Sequence, residues 1–140
     1  MRASRALVGI AAESIAEVDD VVTVPQLRVL TMIFTRGPMN LASVATGLDV
    51  SAPNASRICD RLIKAGLLDR QEDPSDRRNI MLTLTAEGQR LIDRVNRHRR
   101  TAVRRVLRRM SARDRESLTA ALNTFATAAG EPVGPDLAVL

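Results

Sequence analysis

The stretch Ser51-Ala-Pro-Asn-Ala-Ser-Arg-Ile-Cys-Asp-Arg-Leu-Ile-Lys-Ala-Gly66, followed at once by Leu67-Leu-Asp-Arg-Gln-Glu-Asp-Pro-Ser-Asp-Arg-Arg-Asn-Ile-Met-Leu-Thr-Leu84, decides the fold. Its first half reads as a helix over residues 52–65. Ala55, Ile58, Cys59, Leu62 and Ile63 recur at helical spacing, while Asn54, Ser56, Arg57, Asp60, Arg61 and Lys64 form a polar face. Gly66 ends it. Its second half changes period. Residues 67–70 make a short strand, residues 72–79 a polar turn containing Pro74, and Ile80, Leu82 and Leu84 alternate with Met81 and Thr83. This is an amphipathic helix followed by an antiparallel hairpin with a charged tip.

Upstream, Asn40 caps a short helix over residues 41–48, with Leu41, Val44, Ala45 and Leu48 facing inward. Gly47-Leu-Asp-Val-Ser51, a glycine next to a short turn and then a serine cap, joins it tightly to the next helix. Before that, Thr23-Val-Pro-Gln26 is a capping box, with Pro25 in the first turn, where a missing N–H costs nothing. Leu27, Leu30, Ile33 and Phe34 form the buried stripe of that helix, and Gly37-Pro38 stops it. A first helix spans residues 4–18, ended by Asp19 and Asp20. Downstream, Thr85 caps a fifth helix over residues 86–110, roughly 37 Å long. The capping box Ser111-Ala-Arg-Asp114 opens a sixth over residues 112–129, stopped by Gly130. The proline- and glycine-containing tail, residues 131–140, reads as flexible. The fold class is mainly α, with a small β-hairpin.

Composition narrows the function. The chain has 140 residues, enough for one domain with its own core. Aromatics are 1%, Phe34 and Phe125 alone, which argues against stacking bases on aromatic platforms. One cysteine and one histidine leave no disulfide framework, no multi-cysteine zinc site and few catalytic dyads. No metal or other cofactor is expected. The net charge of +5 is unevenly spread. Residues 51–109 carry fifteen basic and seven acidic groups, whereas both flanks are slightly acidic. A basic stretch confined to one part of a globular chain points to a polyanionic partner. The longest early apolar run, residues 6–12, is too short to span a membrane and lacks a secretory cleavage pattern, so the cytoplasm is the expected compartment.

Helix, tight turn, helix and charged hairpin together make a winged helix-turn-helix. A B-DNA major groove admits one helix, and the N-terminal residues of the second helix of the pair reach base edges. Ser51, Pro53, Asn54, Ser56 and Arg57 stand where such contacts fall, with Arg61 one turn on. Arg77 and Arg78 at the hairpin tip can lie over the neighbouring minor groove, where A·T-rich DNA concentrates negative potential.

The segment Asp73-Pro-Ser-Asp-Arg-Arg-Asn-Ile-Met-Leu-Thr-Leu-Thr-Ala-Glu-Gly88 resembles the wing signature of the multiple-antibiotic-resistance regulators, the MarR family: Asp-x-Arg, alternating apolar residues, then Leu-Thr-x-x-Gly. Pro25-Gln-Leu-Arg-Val-Leu30 and Arg61-Leu-Ile-Lys-Ala-Gly-Leu-Leu-Asp-Arg70 are similar to two further family segments. The resemblance covers about residues 24–129. It implies a homodimer whose first, fifth and sixth helices interleave, and a regulator of transcription, usually a repressor, released from DNA by a small anionic or aromatic effector. It makes Asp76 a structural acid of the wing, with Arg78 its partner or the minor-groove arginine. The organisation it implies is a dimerisation helix (1–22), a DNA-binding domain (23–88), dimerisation helices (89–130) and a tail (131–140). The stretch before Gln26 is shorter than the family's usual N-terminal helix. The expected effector pocket lies near the first, second and fifth helices, with Arg28 a candidate anion contact.

Plainer roles stand beside these. Arg57 and Arg61 are also ordinary solvated helix residues, with Asp60 placed to hold either. Arg77 and Arg78 also suit a wet loop. The nine arginines between Arg90 and Arg109 read as a solvated face, pairing at i,i+4 as Asp93 can with Arg97. The apolar stripe on that helix calls for a covering partner. Cys59 reads as a small buried apolar residue, a redox role being the alternative. His98 reads as structural or solvent-facing. Glu72, Asp73 and Asp76 cluster on a turn without a further ligand group. No phosphate-binding glycine loop, nucleophile elbow or Cys/His pair at useful spacing is present, so an enzyme is not expected. The alternatives are a winged-helix interaction module without DNA work and a nonspecific DNA-binding protein.

Overall fold

The computed structural model describes residues 1–131. In chain order the elements are α1 (Arg2–Ala16), α2 (Val24–Arg36), β1 (Met39–Asn40), α3 (Leu41–Leu48), α4 (Ala52–Lys64), β2 (Leu68–Glu72), β3 (Ile80–Leu84), α5 (Ala86–Leu107) and α6 (Ala112–Ala128). The tail expected to be flexible lies, apart from Glu131, outside the described residues. The molecule is mainly helical, with a small antiparallel sheet and a winged helix-turn-helix at its centre.

Local chemistry sets most boundaries. At the start of α2, the Thr23 hydroxyl accepts from the Gln26 N–H, and the Gln26 side chain accepts from the Thr23 N–H at 2.8 Å. Gly37 leaves α2 at φ 82°. Asn40 Oδ1 accepts the Ser43 N–H at 2.8 Å and caps α3. Thr85 accepts the Gly88 N–H at 3.0 Å, and Ser111 accepts the Asp114 N–H at 3.1 Å, capping α5 and α6.

Two expectations are corrected. First, the sheet has three strands. β1 pairs antiparallel with β3, Met39 opposite Leu82 and Asn40 opposite Met81, giving the order β1-β3-β2. Two residues are too few to show a period, so only the pairing reveals this strand. In the turn between α3 and α4 the left-handed residue is Asp49, at φ 56°, and Gly47 lies beside that turn, within α3. Aspartate tolerates that region as a single residue. Gly47 instead gives room to Met32, whose sulfur would lie 2.6 Å from an added Cβ. Second, Ser51 occupies the position preceding α4, yet its hydroxyl accepts no helix N–H.

The core gathers Val29, Leu30 and Ile33 from α2, Val44 and Leu48 from α3, Ala55, Cys59 and Leu62 from α4, and Leu68 and Leu82 from the sheet. Leu91, Ile92 and Val95, from the first half of α5 alone, join it. α1 packs along α5, and Val18, just beyond its end, is fully buried. No residue of the second half of α5 or of α6 is fully buried, though Val103, Leu107, Leu118 and Leu122 are half-buried.

Candidate nucleic-acid interface

Burial of Ala55, Cys59 and Leu62 turns one face of α4 into the core and the other outward. Ser51, Pro53, Asn54, Arg57 and Arg61 are exposed, and Ser56 is half-buried. Pro53 lies in the first turn, where no intrahelical partner for its nitrogen is needed. The Arg57 side chain folds back along the helix, its Nε donating to the Pro53 carbonyl at 3.4 Å. Asn54 and Arg61 make no side-chain hydrogen bond among the described residues, so both are free to meet a partner.

Asp60 holds neither Arg57 nor Arg61. Its carboxylate pairs with the Arg70 guanidinium from β2, and it also lies 3.5 Å from the Ser56 hydroxyl. The charge opposite Asp60 therefore comes from the wing. Cys59, immediately before it, is buried, and desolvation, reinforced by Asp60, raises its thiol from 9.0 to about 11. A neutral, covered thiol is chemically quiet.

The hairpin tip is ordered by aspartates. Asp73 Oδ1 accepts from both the hydroxyl and the backbone N–H of Ser75, at 2.7 and 2.9 Å. The Asp73 N–H donates to the Asn79 carbonyl at 2.9 Å, and the Asn79 amide lies 3.5 Å from Asp73 Oδ2. The Ser75 hydroxyl bond is the largest of the interactions that lower the Asp73 carboxyl below its ordinary value. Asp76 acts on Arg78 through the backbone, Oδ1 accepting the Arg78 N–H at 3.0 Å. The Asp76–Arg78 side-chain pairing left open at the sequence level is not formed. Among the described residues, neither Arg77 nor Arg78 has a guanidinium partner, and both are exposed. Sequence reasoning did not single out Asp73 as the turn's organiser. The spacing Asp-x-Ser, with the aspartate accepting from the serine two residues on, is the signal that could have found it.

The remaining sites lie elsewhere. Arg28, exposed on α2, donates to the Gly47 carbonyl at 3.4 Å. It does not line the cleft of about 540 Å³ between α1, α5 and α6, whose walls include Leu7, Ile10, Val103, Leu107, Leu118 and Leu122. His98 of α5 stands 3.3 Å from Glu17, tying the end of α1 to the middle of α5. Among the described residues no three His, Cys, Asp or Glu side chains gather as a metal site would, and no helix is long and apolar enough to cross a membrane.

A family model described as MarR family matches residues 22–80, the span from the approach to α2 through the wing turn. Over 73 residues the chain is 36% identical to YhbI, an HTH-type transcriptional regulator of Bacillus subtilis, covering 52% of this chain and 47% of that one. The chain spans about half the length of such curated relatives. The crystal structure of RV1404 from Mycobacterium tuberculosis superposes with a TM-score of 0.83 at 43% identity, over 94% of this chain and 89% of that one. A MepR variant from S. aureus, bound to an oligodeoxyribonucleotide, shares the fold with a TM-score of 0.66 at 19% identity, over 91% of this chain and 92% of that one.

Proposed function

The chain belongs to the MarR family, and from that premise we propose that it is a homodimeric regulator of transcription that binds double-stranded DNA at an inverted repeat and represses nearby genes. The observation that carries this reading is the pairing state of the arginines. Among the described residues, Arg77 and Arg78 stand exposed and uncompensated on a turn whose own hydrogen bonds are satisfied by Asp73 and Asp76. Beside the wing, the outer face of α4 offers Asn54, Ser56, Arg57 and Arg61. Asn54, Ser56 and Arg57 read base edges in the major groove, each good pair contributing roughly 1–3 kcal/mol of discrimination. Ser51, at a helix start with its hydroxyl uncommitted, binds a phosphate, and Pro53 stiffens the turn that approaches it. Arg77 and Arg78 bind phosphate or minor groove, and phosphate contacts supply most of the affinity.

Dimerisation is supported by the surface that the single chain leaves uncovered. Leu7, Val8, Val106 and Phe125 are 50%, 64%, 49% and 72% exposed on α1, α5 and α6. Apolar surface on three adjoining helices is the mark of an interface. Residues 1–22 and 89–130 then form the dimer body and residues 23–88 the DNA-binding lobe. Two copies place their α4 helices in successive major grooves, about 34 Å apart. Release by a small anionic or aromatic effector completes the cycle, with Arg28 a candidate anion contact. A cytoplasmic location goes with that work.

The test is a fluorescence titration of the purified protein against the duplex upstream of its own coding sequence and against a scrambled duplex of equal length. Tighter binding to the first, weakening steeply with salt, supports the reading. Equal binding to both leaves a nonspecific DNA-binding protein. Binding to neither leaves an interaction module.

A further inference from the structure

We propose that the ion pair between Asp60 and Arg70 locks the wing to the recognition helix, so that both are positioning residues for DNA binding. This rests on the reading of α4 and the hairpin as DNA-binding elements. The register explains why Arg70 reaches α4. In the β2–β3 ladder Leu68 stands opposite Leu84 and Arg70 opposite Leu82. Opposed residues in an antiparallel pair share a face, and residues two apart on a strand lie on the same one. Leu68 and Leu82 are buried. Arg70 is therefore on the inward face of the sheet, at the point where the hairpin leaves the core. Its guanidinium turns back to Asp60, on the outward side of α4. Residues 74–78, which carry Arg77 and Arg78, extend beyond this pair and are exposed.

Stability does not account for the arrangement. The two side chains are 52% and 53% exposed, and ion pairs this open contribute little to folding. Long-range electrostatics do not account for Asp60 either. A carboxylate among residues that approach phosphate opposes binding. An acid that fixes the angle between α4 and the hairpin gives back more than that repulsion. It sets where Arg77 and Arg78 fall when Asn54 and Arg57 enter the groove. The competing explanation is that Arg70 is itself a phosphate contact resting on Asp60 in the free protein.

The sign of one substitution separates the two. A duplex selected from a random-sequence library by the wild-type protein serves as probe, with a scrambled duplex beside it. Thermal melts of every variant check folding. A positioning role predicts that Asp60→Asn weakens binding about three- to tenfold even though it removes a negative charge. Arg70→Gln weakens it similarly, and Asp60→Arg combined with Arg70→Asp restores much of the loss. In the free protein, amide exchange over residues 72–79 speeds up in both single variants and slows again in the double variant. If Asp60→Asn tightens binding, and Arg70→Gln lowers the salt slope by about one per protomer, Arg70 is a phosphate contact and the lock is overturned. If the wild type binds neither duplex, the DNA reading fails by itself. The exchange measurement then decides alone: faster exchange upholds the lock, and unchanged exchange overturns it.

Discussion

Gly88, the third residue of α5, offers a test in which helix propensity and packing predict opposite signs. A Cβ placed there would lie 2.2 Å from the Leu67 carbonyl oxygen and 3.3 Å from a methyl of Leu84. The carbonyl cannot simply swing away. It accepts the Thr85 N–H at 3.2 Å, while the Thr85 hydroxyl donates to the neighbouring Gly66 carbonyl at 2.6 Å. Leu67 itself is 2% exposed. Relief therefore requires moving the start of α5 from the α4–β2 connection by more than about 1 Å, since ordinary contacts begin near 3.4 Å. Gly88→Ala would gain about 1 kcal/mol from helix propensity alone. Overpacking against fixed backbone typically costs about 1–3 kcal/mol, and more where nothing yields. With the carbonyl held in place the upper end of that cost applies, about 3 kcal/mol, so less the propensity gain we expect a net loss of about 2 kcal/mol, which at this size lowers Tm by roughly 8 °C. DNA affinity should fall too, because α5 is the arm that holds the winged helix to the rest of the molecule. Thermal melts at one fixed protein concentration check this, since the proposed dimerisation would make Tm depend on concentration. An unchanged or higher Tm would refute the reasoning, leaving propensity in charge.

Four further outcomes follow from the geometry. Replacing Arg77 and Arg78 together by alanine should lower DNA affinity at least tenfold and flatten its salt dependence by about two charges per protomer, with Tm unchanged; titrations at several salt concentrations read both. Cys59 should resist a thiol-directed reagent at pH 7 in the folded protein and react fully on unfolding. Because its folded value is raised from 9.0 to about 11, stability from the neutral thiol is present below pH 9 and is lost as pH rises toward 11, which alkaline melts of Cys59→Ala against wild type would detect. The Asp73 carboxyl is lowered by its bonds to Ser75, so its contribution to the wing turn holds above the ordinary aspartate value and disappears only as pH falls through the depressed one; amide exchange at Ser75 and Asn79 on acid titration, lost in Asp73→Ala, is the check. Phe125→Asp, on the uncovered face of α6, should shift sedimentation toward the monomer without unfolding the winged helix.

Much of this molecule is legible along the chain because its decisive signals are local. A capping box, a cap three residues before its N–H, the helical spacing of Ala55, Cys59 and Leu62 and the alternation from Ile80 to Leu84 each depend on residues a few positions apart. So the helices, the hairpin and the exposed set Asn54, Arg57, Arg61, Arg77 and Arg78 could be read before any coordinates. What needed the tertiary structure depends on groups distant in sequence. The two residues of β1 become a strand only because β3 supplies their hydrogen-bonding partners. Asp60 has Arg57 and Arg61 beside it in sequence, yet it takes Arg70, since strand register turns that guanidinium back toward α4. Gly88 looks like a weak point in a helix until Leu67 is seen against it. Periodicity reports which way a side chain faces relative to its own element; which atom waits there is settled by how the elements pack.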